Sequence, residues 1–99
     1  MGFFDMVGKA VNRASEMAME AEAECERIST DEICDKIRQL QHDAGKMPAL
    51  SACAKVLRGR FEKMDEWELK YFRDKLFNDR NAYAYNVLKQ VCQSRGLIN

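Results

Sequence analysis

One proline, one histidine and five glycines are all that this 99-residue chain holds of the residues that punctuate strands or carry acid–base chemistry near neutral pH. So few turn-formers argue against a strand-and-turn architecture, which must reverse the chain at short intervals. Val and Ile are sparse, alternation of period two is missing, and Ala, Glu, Lys, Met, Leu and Arg lead the composition. That is helix-forming material, and an all-α chain is expected.

No run approaches the ~20 apolar residues of a membrane-spanning helix, and no charged segment leads into an apolar stretch with a small-residue cleavage site. A cytoplasmic protein is expected. A Gly-rich phosphate loop and a Gly-x-Ser-x-Gly elbow are both missing. The one histidine, His42, falls opposite the apolar stripe Ile33, Ile37 and Leu40, so it is a poor general base and a poor partner for a Ser or Cys nucleophile. Gln39 stands where a Glu-x-x-His metal pair would need its carboxylate. Cys25 and Cys34 lack the close spacing of a zinc knuckle. Asp79 and Asn81 match the first ligand spacing of a calcium loop, but Gln90 replaces its bidentate Glu. No enzyme activity, cofactor or metal is expected.

The four cysteines, Cys25, Cys34, Cys53 and Cys92, are irregularly spaced and lie on or beside apolar stripes. Reduced core thiols suit that pattern better than a disulfide framework. The formal net charge of zero hides two unlike halves: residues 1–45 carry ten acidic and five basic side chains, residues 46–99 six acidic and eleven basic. Five glutamates, Glu16, Glu20, Glu22, Glu24 and Glu26, crowd one helix and repel mildly at i, i+4. A solvated face or docking onto a basic surface, including this chain's own second half, would relieve them.

Residues 1–99 are expected to form one domain, a compact antiparallel bundle of four to five helices. Residues 1–28 read as a long amphipathic helix, with Phe3, Val7, Ala10, Ala14, Met17, Ala21 and Ile28 in its stripe. Residues 29–99 read as the bundle. Ser29 with Glu32 forms a capping-box pattern for the second helix, which Gly45 is expected to end, with Ile33, Ile37, Leu40 and Ala44 on one face. Pro48 suits the first turn of the third, whose inward face holds Leu50, Cys53, Ala54, Leu57, Phe61 and Met64. Asp65 with Glu68 starts a fourth that turns Leu69, Phe72, Leu76 and Phe77 inward, unless the third and fourth are one bent rod. Ala84, Val87, Leu88 and Val91 define the fifth, closed by Gly96. At ~1.5 Å per residue the first helix is nearly twice as long as the others, so it should overhang the bundle or fold back near Gly8.

Two features suggest recognition surfaces. An overhanging first helix would expose Phe3, Phe4 and Val7, which favour self-association. Trp67 and Tyr71, four residues apart, share a helix face opposite Leu69 and Phe72, so they are either buried in a central helix or form an anchor patch. Arg58, Arg60, Lys63 and Lys70 would supply its electrostatic complementarity. The expected function is therefore a non-enzymatic interaction protein, an adaptor, inhibitor or regulator, acting on a protein partner and self-associating through helix 1. The main alternative is nucleic-acid or nucleotide-related binding, since residues 58–85 interleave seven aromatics with seven basic side chains. A second alternative is a membrane surface bound through Phe3, Phe4 and Val7, which the glutamate run opposes.

Overall fold

A computed structural model describes the backbone of residues 2–97 and the side chains of residues 13–97. Five α-helices follow in order: α1 (Gly2–Arg27), α2 (Thr30–Leu40), α3 (Met47–Glu62), α4 (Glu66–Asn78) and α5 (Ala82–Ser94). Among the described residues there is no strand. α2, α4 and α5 begin where a short polar side chain, Ser29, Asp65 or Asn81, takes up a free amide. Ser29 Oγ accepts from the Glu32 amide at 3.1 Å while the Glu32 carboxylate accepts from the Ser29 amide at 3.2 Å, so the capping box forms. Asp65 accepts from the Glu68 amide at 3.0 Å to start α4, and Pro48 sits in the first turn of α3. α3 and α4 are separate helices, and α1 is helical without a break at Gly8.

α3 lies at the centre, in contact with α1, α2 and α5, and α5 also touches α2 and α4. Ile33 and Ile37 of α2, Leu50, Leu57 and Phe61 of α3, Leu69, Phe72 and Leu76 of α4, and Val87, Leu88 and Val91 of α5 close around one apolar core. Among the described side chains of α1, only Ala21 and Cys25 are buried, with Met17 and Ala18 packed beside them. Arg13 to Glu16 are exposed, so among the described residues Met17 is the first to reach the core. Small side chains at 18, 21 and 25 let α3 approach α1 closely.

Two expectations fail locally. α2 stops at Leu40, not at Gly45, and Ala44 is exposed in a 3-10 turn, Ala44–Lys46. The Asp43 carboxylate accepts from the Gly45 amide at 3.0 Å, and this local bond competes with continuing the helix. Phe77 points to solvent at 71% exposure rather than inward. It lies ~100° around the helix from Leu76, outside the arc of Leu69, Phe72 and Leu76.

Both helix ends on the α4–α5 side use a left-handed closing residue. After α4, Arg80 adopts φ 57°, the Asn81 amide returns to the Leu76 carbonyl at 3.0 Å and the Arg80 amide to Phe77 at 3.2 Å. After α5, Gly96 at φ 74° does the same, with Leu97 bonded to Cys92 at 2.8 Å. Glycine adopts this region freely whereas a residue with Cβ is strained there by about 1–2 kcal/mol. Arg80→Gly should therefore stabilise the protein by about 0.5–1 kcal/mol, once glycine's greater unfolded-state entropy is subtracted. Urea midpoints of the variant and the parent check the sign.

Candidate functional site

α4 carries two chemically distinct faces. Leu69, Phe72 and Leu76 are buried, while Trp67 is 72% exposed and Tyr71 53% exposed on the far side. Tyr71 lies edge-on to Phe72, with ring centroids 5.1 Å apart and planes at 86°. Its ring is thus fixed from below and open above. Phe77 leans toward Tyr85 at a centroid distance of 6.3 Å. Of the two states expected for Trp67 and Tyr71, the exposed patch is the one observed.

The chain reverses after Asp79, so the start of α4 lies near the end of α5 and Phe77 lies near Tyr85. Between the two helices runs a shallow groove. Its wider part, about 410 Å³, is lined by Trp67, Leu69, Lys70, Arg73, Cys92 and Leu97, with Glu66 at its edge. A narrower recess of about 170 Å³ shares Arg73, Cys92 and Leu97 and continues to Leu88, Lys89 and Tyr85. The floor is apolar and the lip is basic. Lys70 and Lys89 are exposed and form no ion pair or hydrogen bond among the described residues.

The other basic candidates lie elsewhere. Arg58 donates to Gln90 of α5. Arg60 turns into the molecule, donating to the Cys25 carbonyl at 3.1 Å, the Glu26 carbonyl at 3.3 Å and Thr30 Oγ1 at 3.3 Å. It closes the C-terminus of α1, where the helix dipole favours a cation. Arg95 does the same for α3, reaching the Phe61 and Met64 carbonyls at 3.4 and 2.6 Å. Lys63 is exposed but lines a different cleft, with Glu22, Glu26 and Lys55 between α1 and α3. Lys70 alone of the four basic candidates borders the groove beside Trp67. The side chains of Phe3, Phe4 and Val7 lie outside the described residues.

The glutamates of α1 meet two lysines, Glu24 pairing with Lys36 at 2.5 Å and Glu22 with Lys55 at 3.3 Å. Such surface pairs contribute about 0–1 kcal/mol each. Glu16, Glu20 and Glu26 are exposed, without an ion pair among the described residues.

Among the described residues, no group of three His, Cys, Asp or Glu side chains is arranged to hold a metal, and His42 is exposed. Cys25, Cys34 and Cys53 are buried and Cys92 half-buried, all free thiols. Burial pushes the Cys34 thiol up to about 12. Burial, together with the thiol–thiol hydrogen bond it shares with Cys25 2.8 Å away, does the same for Cys53. Both are protonated at neutral pH and thus weak nucleophiles. A disulfide reagent at about pH 8 should label Cys92 rapidly and the other three only as the chain unfolds. Counting fast and slow thiols with and without guanidinium checks this.

No family model, curated protein or solved structure matches this chain. Function therefore rests on the site itself. Sequence periodicity singled out Trp67, Lys70 and Tyr71 but not Phe77, Tyr85, Lys89 or Leu97. Phe77 lies one turn beyond Arg73 in α4, and only the α4–α5 reversal brings Tyr85, Lys89 and Leu97 beside Arg73 and Lys70.

Proposed function

We propose that this chain is a non-enzymatic helical interaction protein whose recognition surface is the outer side of α4 and α5. One observation carries this: Trp67, Tyr71 and Phe77 stand outside the core, while Phe61, Phe72, Tyr83 and Tyr85 are buried or half-buried. Three large exposed aromatics on one helix, with Tyr71 edge-on to Phe72 and Phe77 beside Tyr85, next to a basic lip, have the composition of binding-energy anchors. The nucleic-acid alternative has less support. Arg58, Arg60, Lys75 and Arg95 are engaged within the molecule, which leaves few cations along the aromatic segment for phosphates.

In the same proposal the five helices form an antiparallel bundle from which the first half of α1 projects, and that projecting half self-associates. The exposure of residues 13–16 supports it. Light scattering of the full chain should give more than the monomer mass, and a variant with Phe3, Phe4 and Val7 changed to Ser should be monomeric. Equal monomer masses would contradict self-association.

A further inference from the structure

We infer that the α4–α5 groove receives an amphipathic helix of net negative charge from a partner protein. The inference rests on the interaction reading above and adds the partner's chemistry. Phe77 lies ten positions after Trp67, about 15 Å along α4. A partner helix presenting anchors at i, i+4 and i+7 spans about 10 Å and fits between the two aromatic ends. Leu69 and Leu88 are buried at the base, and Cys92 and Leu97 are half-buried beside them, so the floor takes an apolar stripe.

Charge selects the flanks of that helix. Lys70 and Lys89 stand exposed on opposite sides of the groove, one from α4 and one from α5, without ion pairs among the described residues. Glu66 is the one acidic side chain lining the groove, at its Trp67 end. Carboxylates on both flanks of an incoming helix would meet the lysines, whereas a basic helix would meet like charge on both sides. The groove is bounded by two helices and offers no strand edge, so an occupant must satisfy its own backbone hydrogen bonds, as a helix does. The first half of a second copy's α1 is a poor match: residues 2–16 balance Asp5 and Glu16 against Lys9 and Arg13 and carry no net charge. The acidic second half of that helix, which holds Glu20 to Glu26, is already packed along its own α3 through Ala21 and Cys25.

Trp67 is the single tryptophan, so its emission reports on the groove directly. Two helix-stapled peptides of about 15 residues serve as probes, sharing Leu at i, i+4, i+7 and i+11, one with Glu and Gln elsewhere and one with Lys and Gln. On titration into the full chain, the Glu peptide should shift Trp67 emission to the blue. It should also bind at least about tenfold more tightly than the Lys peptide, and Lys70→Glu with Lys89→Glu should invert that preference. Peptide anisotropy against Trp67→Ala, with helicity checked by circular dichroism, confirms the location. Equal binding of both peptides, or a preference for the Lys peptide, would overturn the acidic partner. If that binding is still lost in Trp67→Ala, the interaction surface itself survives. Binding of neither peptide also overturns the inference, and binding unaffected by Trp67→Ala removes the surface as well.

Discussion

Asn81→Ala is expected to destabilise the protein by about 2–3 kcal/mol, enough to lower Tm by roughly 10–20 °C for a domain of this size. Asn81 is 2% exposed, and it is the one buried polar side chain among the described residues. Its Oδ1 accepts from the Ala84 amide at 3.4 Å and caps α5, while its Nδ2 donates to the Cys34 carbonyl of α2 at 2.8 Å. The same residue follows the left-handed Arg80, and its amide closes α4 on Leu76. One side chain therefore ties the α4–α5 turn to α2. Losing the cap costs about 1 kcal/mol, and losing the buried bond costs about 1 more plus the void left behind. Asn81→Ser keeps a cap acceptor but cannot span to Cys34, so it should recover roughly half of the loss. Urea unfolding of the two variants separates the roles, and a neutral Asn81→Ala would remove this tie from the account.

Arg60→Met should cost about 1–2 kcal/mol, the second largest effect expected of a polar substitution here. The last turns of α1 hold Glu22, Glu24 and Glu26, the wrong sign for a helix C-terminus, with Arg27 as the one cation in the final turn. Arg60 offsets this by donating to two of the end carbonyls and to Thr30, so it also fixes the short link between α1 and α2. Met keeps most of the apolar stem and removes the donors. Arg60→Lys keeps the charge but cannot reach three acceptors at once, so it should restore less than half of the loss. Thermal unfolding of the three proteins gives the comparison. Full restoration by Lys would mean that charge alone matters.

Helix positions were legible wherever the determinant is local. Ser29, Pro48, Asp65 and Gly96 each act on amides or carbonyls within a few residues, so their spacing alone places the starts of α2, α3 and α4 and the end of α5. The stripes Ile33–Ile37 and Leu50–Cys53–Leu57–Phe61 likewise report burial through period 3.6. Where two local signals compete, as Asp43 does with continuation of α2, pattern alone misplaced the end. Arg60 shows the other boundary. Its acceptors lie 35, 34 and 30 residues away, and nothing in periodicity distinguishes it from Arg58 or Lys63. The groove was half legible for the same reason. The helical wheel of α4 exposes Trp67, Lys70 and Tyr71, but Tyr85, Lys89 and Leu97 join them only through the reversal that Arg80 and Asn81 make.

Under the proposed function, Trp67 is an open anchor on a surface the core does not need. Collisional quenching of its fluorescence by acrylamide tests this most directly, since no other tryptophan contributes. In the native chain the emission should be that of a solvated indole, quenching should approach that of a tryptophan amide, and guanidinium should change both only slightly. A blue-shifted, shielded native emission that moves to the red on unfolding would contradict it.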